Sequence, residues 1–264
     1  MIQPKLSGRL GNFLFEVAAA YAYSLRHSVD YSIVPIGGGV ENVTIEKYLN
    51  WLPNIKQGEL IKDAFVYEEP SHAYIRIPTP NEYQGLPDPK DNIQIIGYFQ
   101  SELYFNDYAK EVTELFSLPK GHEDFVSIHI RRGDYVKYHT AFPPIDRRYI
   151  NPAIKFFKDL GHNKFLVFSD DIAWCKGYLN SRVFDGCKFE YSENRNEIED
   201  LTLMSHCKHN IICNSTFSWW GAWLNQNKNK IVVSPHERAG NWFGQRVKLD
   251  TSTLIPNSWY KIKF

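Results

Sequence analysis

Phe125-Val126-Ser127-Ile128-His129-Ile130-Arg131-Arg132-Gly133-Asp134-Tyr135 begins as an apolar, β-branched run and ends in a knot of charge. Phe125–Ile130 reads as a buried strand, and the residues after it read as its polar exit. The same change of character recurs downstream. Lys164–Ser169 runs into Asp170-Asp171, and Asn210–Cys213 runs into Asn214-Ser215-Thr216. Cys187–Tyr191 and Lys230–Ser234 complete the set of candidate strands. Helical patterns lie between them at Arg148–Leu160, Asp171–Leu179, Asn196–Cys207 and Phe217–Asn225. In the third of these, Ile198, Leu201 and Met204 recur every three residues and share one face. Strand, helix, strand at this spacing predicts βαβ units and a parallel sheet.

Upstream, a short strand at Ile2–Leu6 runs into a glycine-bearing turn and a helix over Asn12–Arg26. A run with Pro35, Gly37, Gly38 and Gly39 follows. Pro70–Lys90 carries Pro70, Pro78, Pro80, Pro87 and Pro89 and reads as loop. A strand at Ile93–Tyr98 and a helix at Ser101–Leu115 close this half. Ser117–Glu123, with Pro119 and Gly121, reads as a linker. The expected fold is α/β, with two domains at 1–122 and 123–264 meeting across a cleft near residue 122, where ligands tend to bind.

The 264 residues contain 30 basic and 30 acidic side chains, which argues against a broad nucleic-acid surface. A local anion site survives this balance, because a few arginines hold a phosphate without moving the total. Four cysteines (Cys175, Cys187, Cys207, Cys213) form no CxxC pair and read as buried free thiols of a reducing compartment. The apolar stretch Phe13–Leu25 contains Glu16 and lacks the length and flanks of a signal or membrane span. A cytoplasmic protein without an integral membrane segment is expected, with peripheral attachment to the inner membrane left open. The sequons at Asn42 and Asn214 read as chance. Aromatics reach 15%, which suits either a ring-rich core or stacking on sugars and bases. Oligomeric state is not legible.

Four stretches carry chemistry. In Ser7-Gly8-Arg9-Leu10-Gly11-Asn12, two glycines between a strand and a helix let backbone approach a ligand, and the helix start favours anions. Glycine is also common in plain strand-to-helix turns. In the arginine block, His129 and Arg131 are expected on one side of the strand and Arg132 on the other. Arg131 suits a bidentate clamp on a diphosphate oxygen, the alternative being a structural network with Asp134. At Phe168-Ser169-Asp170-Asp171, Ser169 or Asp170 could cap the next helix, or one carboxylate could accept two N–H bonds from guanine. Asn214-Ser215-Thr216-Phe217 sets small polar groups at a helix start, either as a phosphate cradle or as simple caps. Trp219, Trp220 and Trp223 read as packing. No Asp-x-Asp occurs anywhere, so no metal is expected.

Gly8-Arg9-Leu10-Gly11-Asn12, Gly97-Tyr98-Phe99-Gln100-Ser101-Glu102, His-x-Arg-Arg-Gly-Asp-Tyr, Phe168–Ile172 and Leu203–Trp223 together resemble glycosyltransferase family 11, the α-1,2-fucosyltransferases. The likeness covers most of the chain. It implies a GT-B fold of two Rossmann-like domains facing each other across a cleft, with the nucleotide held mainly by the C-terminal one. It implies a GDP-β-L-fucose donor, a glycan acceptor, inversion at the anomeric carbon, and no metal or other cofactor. It places Arg131 on the diphosphate and His129 and Asp170 near guanine. Asn214, Ser215, Thr216 and Phe217 fall around the phosphates, and Arg9, Gly11 and Asn12 belong to the turn facing diphosphate and sugar. Phe13–Glu16 and Tyr138–Pro144 depart from the usual pattern, both where an acceptor would bind.

Inversion calls for a single displacement, with Arg131 stabilising the leaving β-phosphate. Asp134 is the first candidate for general base, or else a group that orients the arginines. Glu16 is the runner-up base, its plainer reading being a solvated helix residue. Rival functions are transfer from another GDP-sugar or to another acceptor type, and non-catalytic glycan binding.

Overall fold

Each half of the chain is organised by a parallel sheet whose strands end where the sequence turns polar. The computed structural model describes residues 1–35, 45–69, 83, 85–88, 92–236, 241–244 and 251–264. Gly37–Gly39, the Asn42 sequon and most of Pro70–Lys90 lie outside the described residues. The chain divides into two units, Met1–Leu118 with Leu249–Pro256, and Pro119–Lys248 with Asn257–Phe264.

The first unit contains β1 (Ile2–Lys5), α1 (Leu10–His27), α2 (Ile45–Trp51), β2 (Phe65–Glu68), β3 (Ile93–Ile96) and α3 (Ala109–Phe116). Its three strands are parallel in the order β1-β3-β2. Helix α1 is buried along most of its length, including the four-residue run Val17-Ala18-Ala19-Ala20, as befits a helix apolar on nearly all sides. It starts at Leu10 rather than Asn12, so Gly11 and Asn12 lie in its first turn and not in the preceding loop. It stops at Ser28, whose left-handed backbone returns its N–H to Ser24 and Leu25 carbonyls. The helix expected over Ser101–Leu115 is broken. Short 3₁₀ turns occupy Glu102–Tyr104 and Asn106–Tyr108, because Phe105 between them has φ −143°, which no α-helix accommodates.

The second unit contains β4 (Glu123–Ile130), α4 (Gly133–Lys137), α5 (Arg147–Asp159), β5 (Lys164–Ser169), α6 (Ile172–Leu179), β6 (Lys188–Tyr191), α7 (Glu197–His206), β7 (Cys207–Ile211), α8 (Thr216–Trp223), β8 (Val232–Pro235) and β9 (Tyr260–Ile262). Six parallel strands run in the order β6-β5-β4-β7-β8-β9, so β4 lies inside the sheet between β5 and β7. Val126, Ile128 and Ile130 of β4 form one core with Tyr149, Ile150, Ala153, Ile154 and Phe157 of α5. The Tyr149 hydroxyl lies 2.6 Å from the Ile212 carbonyl and 3.0 Å from that of Val233. Strand β7 starts at Cys207, three residues earlier than expected. Cys207 leaves α7 with extended backbone, so helix passes into strand without a loop. Cys175, Cys207 and Cys213 are buried and Cys187 is half-buried, and all four are free thiols. No helix among the described residues is long and apolar enough to cross a membrane.

Helix α8 is anchored at its C-terminus by a cation. The Lys230 ammonium donates to the carbonyls of Ala222 (2.7 Å), Trp223 (3.0 Å) and Asn225 (2.8 Å). They lie in the last turn of the helix and just beyond it, where the negative end of the helix dipole favours the charge. Lys230→Met should therefore lower unfolding free energy by about 2 kcal/mol, the scale of hydrogen bonds to a charged group. Urea denaturation followed by Trp fluorescence measures this, and an unchanged midpoint would remove Lys230 from the cap.

Candidate active site

Strands β4, β5 and β7 end at the same edge of the sheet, with Ile130 opposite Ser169 and Ile128 opposite Ile211. Backbone leaving that edge forms the segments 131–135, 170–171 and 212–217. In open parallel sheets this edge is where ligands sit.

Arg131 is the centre of the cluster. Its Nε and Nη2 donate to Asp134 Oδ1 at 3.0 and 2.7 Å, and its Nη1 pairs with Asp170 Oδ2 at 2.9 Å. Three of its five N–H donors are engaged by these bonds, which leaves two for a ligand. Burial opposes the guanidinium charge, but Asp170 and Asp134 outweigh it and raise the pKa above its ordinary value. The arginine is thus held rigid and fully charged. Its neighbour turns away: Arg132 pairs with Asp171 at 3.2 Å and lies 3.9 Å from the centre of the Trp174 ring.

Asp170 ties two strands' ends together. Besides Arg131, it accepts the backbone N–H of Arg132 at 2.8 Å. Gly133 makes this approach possible, since a Cβ there would lie 2.5 Å from Asp170 Oδ2. The cap of α6 is Asp171, which accepts from Trp174 N–H at 3.1 Å, and not Ser169 or Asp170 as expected. Ser169 instead accepts the Asp171 N–H at 2.9 Å. Asp170 is thereby left to the arginine.

On the other flank of β4, His129 is buried with Nδ1 3.1 Å from Cys213 Sγ and its ring edge-on to Phe217. Burial first, then the Arg131 charge, push its pKa down to about 3, so the imidazole is neutral at pH 7. Burial pushes the Cys213 thiol up to about 12, which makes it a packed thiol and not a nucleophile. Ser215 stands at the N-cap of α8 without a side-chain capping bond to the helix. Thr216 and Phe217 begin that helix, whose first N–H groups lack intrahelical partners. The Asn214 amide donates to the carbonyls of Pro143 and Trp242, both at 2.9 Å. Its buried Oδ1 has no partner among the described residues.

Asn214 therefore braces the segment 138–144 against the turn 241–244. Gly244 N–H reaches the Ala141 carbonyl at 2.8 Å, and Phe142 stacks on Tyr135 while touching Phe243. The Tyr135 hydroxyl closes the arrangement by donating to the Asn214 carbonyl at 2.9 Å. Tyr135 went unread in the sequence, as its role depends on what lies across the sheet edge.

Arg9, Gly11 and Asn12 belong to the first unit. Arg9 is exposed at the start of α1, Gly11 is buried, and Asn12 accepts from Gln100 Nε2 at 3.1 Å. Gly8 takes φ +77° and lies against the Asn12 amide, where a side chain would collide. Glu16 is not a solvated helix residue. It is fully buried and accepts the Ser7 N–H at 3.0 Å and the Ser7 hydroxyl at 2.8 Å. A carboxylate enclosed in this way does not reach an acceptor hydroxyl. Among the described residues, no three His, Cys, Asp or Glu side chains converge where they could hold a metal ion.

The close fit of Gly133 to Asp170 is open to test. Gly133→Ala should displace Asp170 from Arg131 and weaken binding of the GDP that the sequence resemblance implies roughly tenfold, equivalent to one lost charge-assisted bond, with little change in unfolding midpoint. Calorimetric titration beside thermal melting separates the two effects. Unaltered GDP affinity would show that Asp170 does not set the Arg131 geometry.

Residues 53–251 match the family model described as glycosyl transferase family 11. An α-1,2-colitosyltransferase from Escherichia coli is 28% identical, over 100% of this chain and 99% of that protein. The O-antigen biosynthesis glycosyltransferase WbnK of Escherichia coli is 27% identical, over 97% of this chain and 99% of its own length. Galactoside 2-alpha-L-fucosyltransferase SEC1 of Bos taurus is 25% identical, over 82% of this chain and 62% of that protein. A crystal structure of POFUT1 in complex with GDP-fucose aligns at 11% identity with a TM-score of 0.32, covering 87% of this chain and 71% of that one. Nothing about the site is carried over from so slight a likeness. The family match takes in most of the sequence, including the whole polar edge from Arg131 to Phe217, and the chain belongs to glycosyl transferase family 11.

Proposed function

We propose that this glycosyltransferase moves L-fucose from GDP-β-L-fucose to a galactose hydroxyl of a glycan, forming an α-1,2 linkage with inversion and without a metal. The observation that carries this reading is Arg131, locked by Asp134 and Asp170 at the end of an interior strand, with the uncapped start of α8 on the neighbouring strand's exit. Both suit a pyrophosphate, which supports the reading. In this reading the second unit holds GDP and the first supplies the acceptor side, with Arg9, Gly11 and Asn12 turned to diphosphate and sugar. His129 and Asp170 border the guanine, while Ser215, Thr216 and Phe217 surround the phosphates. Asn214 contributes by bracing the segment beside them.

The reaction is one displacement. The acceptor oxygen attacks the anomeric carbon, the bond from that carbon to the β-phosphate oxygen breaks, and GDP departs from the opposite face. Negative charge grows on the β-phosphate during the step. A guanidinium already fixed in place stabilises that charge without reorganising. Asp134 spends one oxygen on two Arg131 bonds, so we assign it to orienting the arginine and not to proton removal.

The similarity to an α-1,2-colitosyltransferase over the full chain supports a second reading, in which the donor is GDP-colitose. Colitose is fucose without its 3-hydroxyl, so the same diphosphate site serves either. Parallel assays with the two donors decide between them.

Calorimetry with GDP in EDTA tests the central reading. Binding is expected without metal, and Arg131→Ala should cut turnover on the order of 10³-fold, as loss of a phosphate-stabilising arginine does. A vacant site in EDTA, or near-normal turnover in the variant, overturns it. Asp134→Asn keeps an oxygen that can accept both Arg131 bonds. Its turnover should fall by less than the ~10²-fold that loss of a general base costs. A larger fall, with the acid limb of the pH–rate profile abolished, would make Asp134 the base.

A further inference from the structure

We infer that Gln100 binds a sugar hydroxyl in the transfer reaction, presented beside Asn12 by two turns that the buried side chains of Glu16 and Glu69 hold in place. This rests on the transferase reading above. In the first unit the three parallel strands also end at one edge. Ser7-Gly8-Arg9 leaves β1, Gly97-Tyr98-Phe99-Gln100 leaves β3, and Glu69 follows β2 directly. The sequence motifs at the first two exits belong to nothing assigned so far except Arg9, Gly11 and Asn12.

Two acidic side chains are buried beneath these exits, an expensive placement unless they are well bonded. Each is. Glu16 receives the Ser7 N–H and hydroxyl, which fixes the turn after β1. Glu69 Oε2 receives the N–H groups of Tyr98 and Phe99, both at 2.9 Å, and its Oε1 receives the Tyr104 hydroxyl at 3.3 Å, which fixes the turn after β3. The second turn is strained in the way such support requires. Gly97 has φ +156° and packs against Glu69, where a Cβ would lie 2.7 Å from Oε2, and Phe99 has φ +48° although it is not glycine. Sparsely populated backbone of this kind persists where surrounding bonds over-determine it. A fold that needed only a connection between β3 and α3 would have no use for it.

What the strain achieves is visible at the tips. The two turns meet through Gln100 Nε2 and Asn12 Oδ1 at 3.1 Å, joining side chains 88 positions apart. Gln100 is half-exposed, and this is its one hydrogen bond among the described residues. With the amide nitrogen turned to Asn12, the carbonyl oxygen Oε1 is left as an acceptor, and a pyranose hydroxyl is a donor of matching size and neutrality. An acceptor oxygen suits a sugar hydroxyl and not a phosphate, whose charge is served by Arg131. Gln100 is therefore assigned to the sugar part of the reaction, and Glu69 and Glu16 are positioning residues for it.

The test uses the full chain, GDP-fucose and a β-galactoside acceptor. Gln100→Ala should raise KM for the donor or for the acceptor about fivefold or more, the worth of one neutral hydrogen bond, while GDP affinity by calorimetry stays within twofold. A rise in donor KM with GDP binding intact assigns the hydroxyl to fucose, and a rise in acceptor KM assigns it to the acceptor. Glu69→Leu should raise the same KM, and Glu69→Gln, which retains an accepting oxygen, should restore it. If both KM values in Gln100→Ala stay within twofold of wild type, or if a folded Glu69→Leu leaves them unmoved, the inference fails while the transferase reading stands. Should Glu69→Leu fail to fold, the half-exposed Gln100 carries the test alone. A wild-type protein that neither binds GDP nor transfers sugar overturns the transferase reading, and this inference with it.

Discussion

The bond set of one arginine organises the second unit. Arg131 is reached by Asp134 from the turn just after it and by Asp170 from the end of the neighbouring strand. A guanidinium on a flexible side chain would lose rotamer freedom on meeting a ligand, and here that freedom is already gone. The cost has been met within the fold, by two carboxylates that would otherwise repel each other and by a glycine that lets one of them in. Two carboxylates do not silence the charge. They hold it in one direction.

The first unit applies the same logic with the charge signs reversed. Its fixed groups are acids below the surface, and the groups they steer are neutral amides at the surface. Burial raises the Glu16 carboxyl well above its ordinary pKa, the Ser7 bonds partly offset this, and Glu69 adds to the rise. Acids placed in this way are scaffold.

Much of this was legible in the linear chain because strands of a buried parallel sheet must be apolar and their exits must not be. Lys164–Ser169 is recovered to the residue, and Arg131, Asp134 and Asp170 stand out as charges where a core strand stops. Other features were hidden because they depend on distant partners. Phe105 breaks the helix read over Ser101–Leu115, yet nothing in its residue type forbids a helix. Glu16 looked like a solvent-facing residue on a helix, although that helix is buried nearly all round. Asn214 read as part of a phosphate cradle or of simple helix caps, and the chain alone did not show that its amide reaches Pro143 and Trp242, which lie 71 and 28 positions away.

The sequence by itself determined the α/β class, most of the strand and helix positions and the family, since hydrophobic period and short motifs are local properties. Tertiary structure alone decided which polar groups share a partner. Asp170 could have capped α6 or held Arg131, and the choice turned on Asp171 taking the cap and Gly133 opening a path. Gln100 acquired a meaning only when β1 and β3 came to lie side by side. Hydrogen bonds act over about 3 Å, and only the folded chain brings such groups that close.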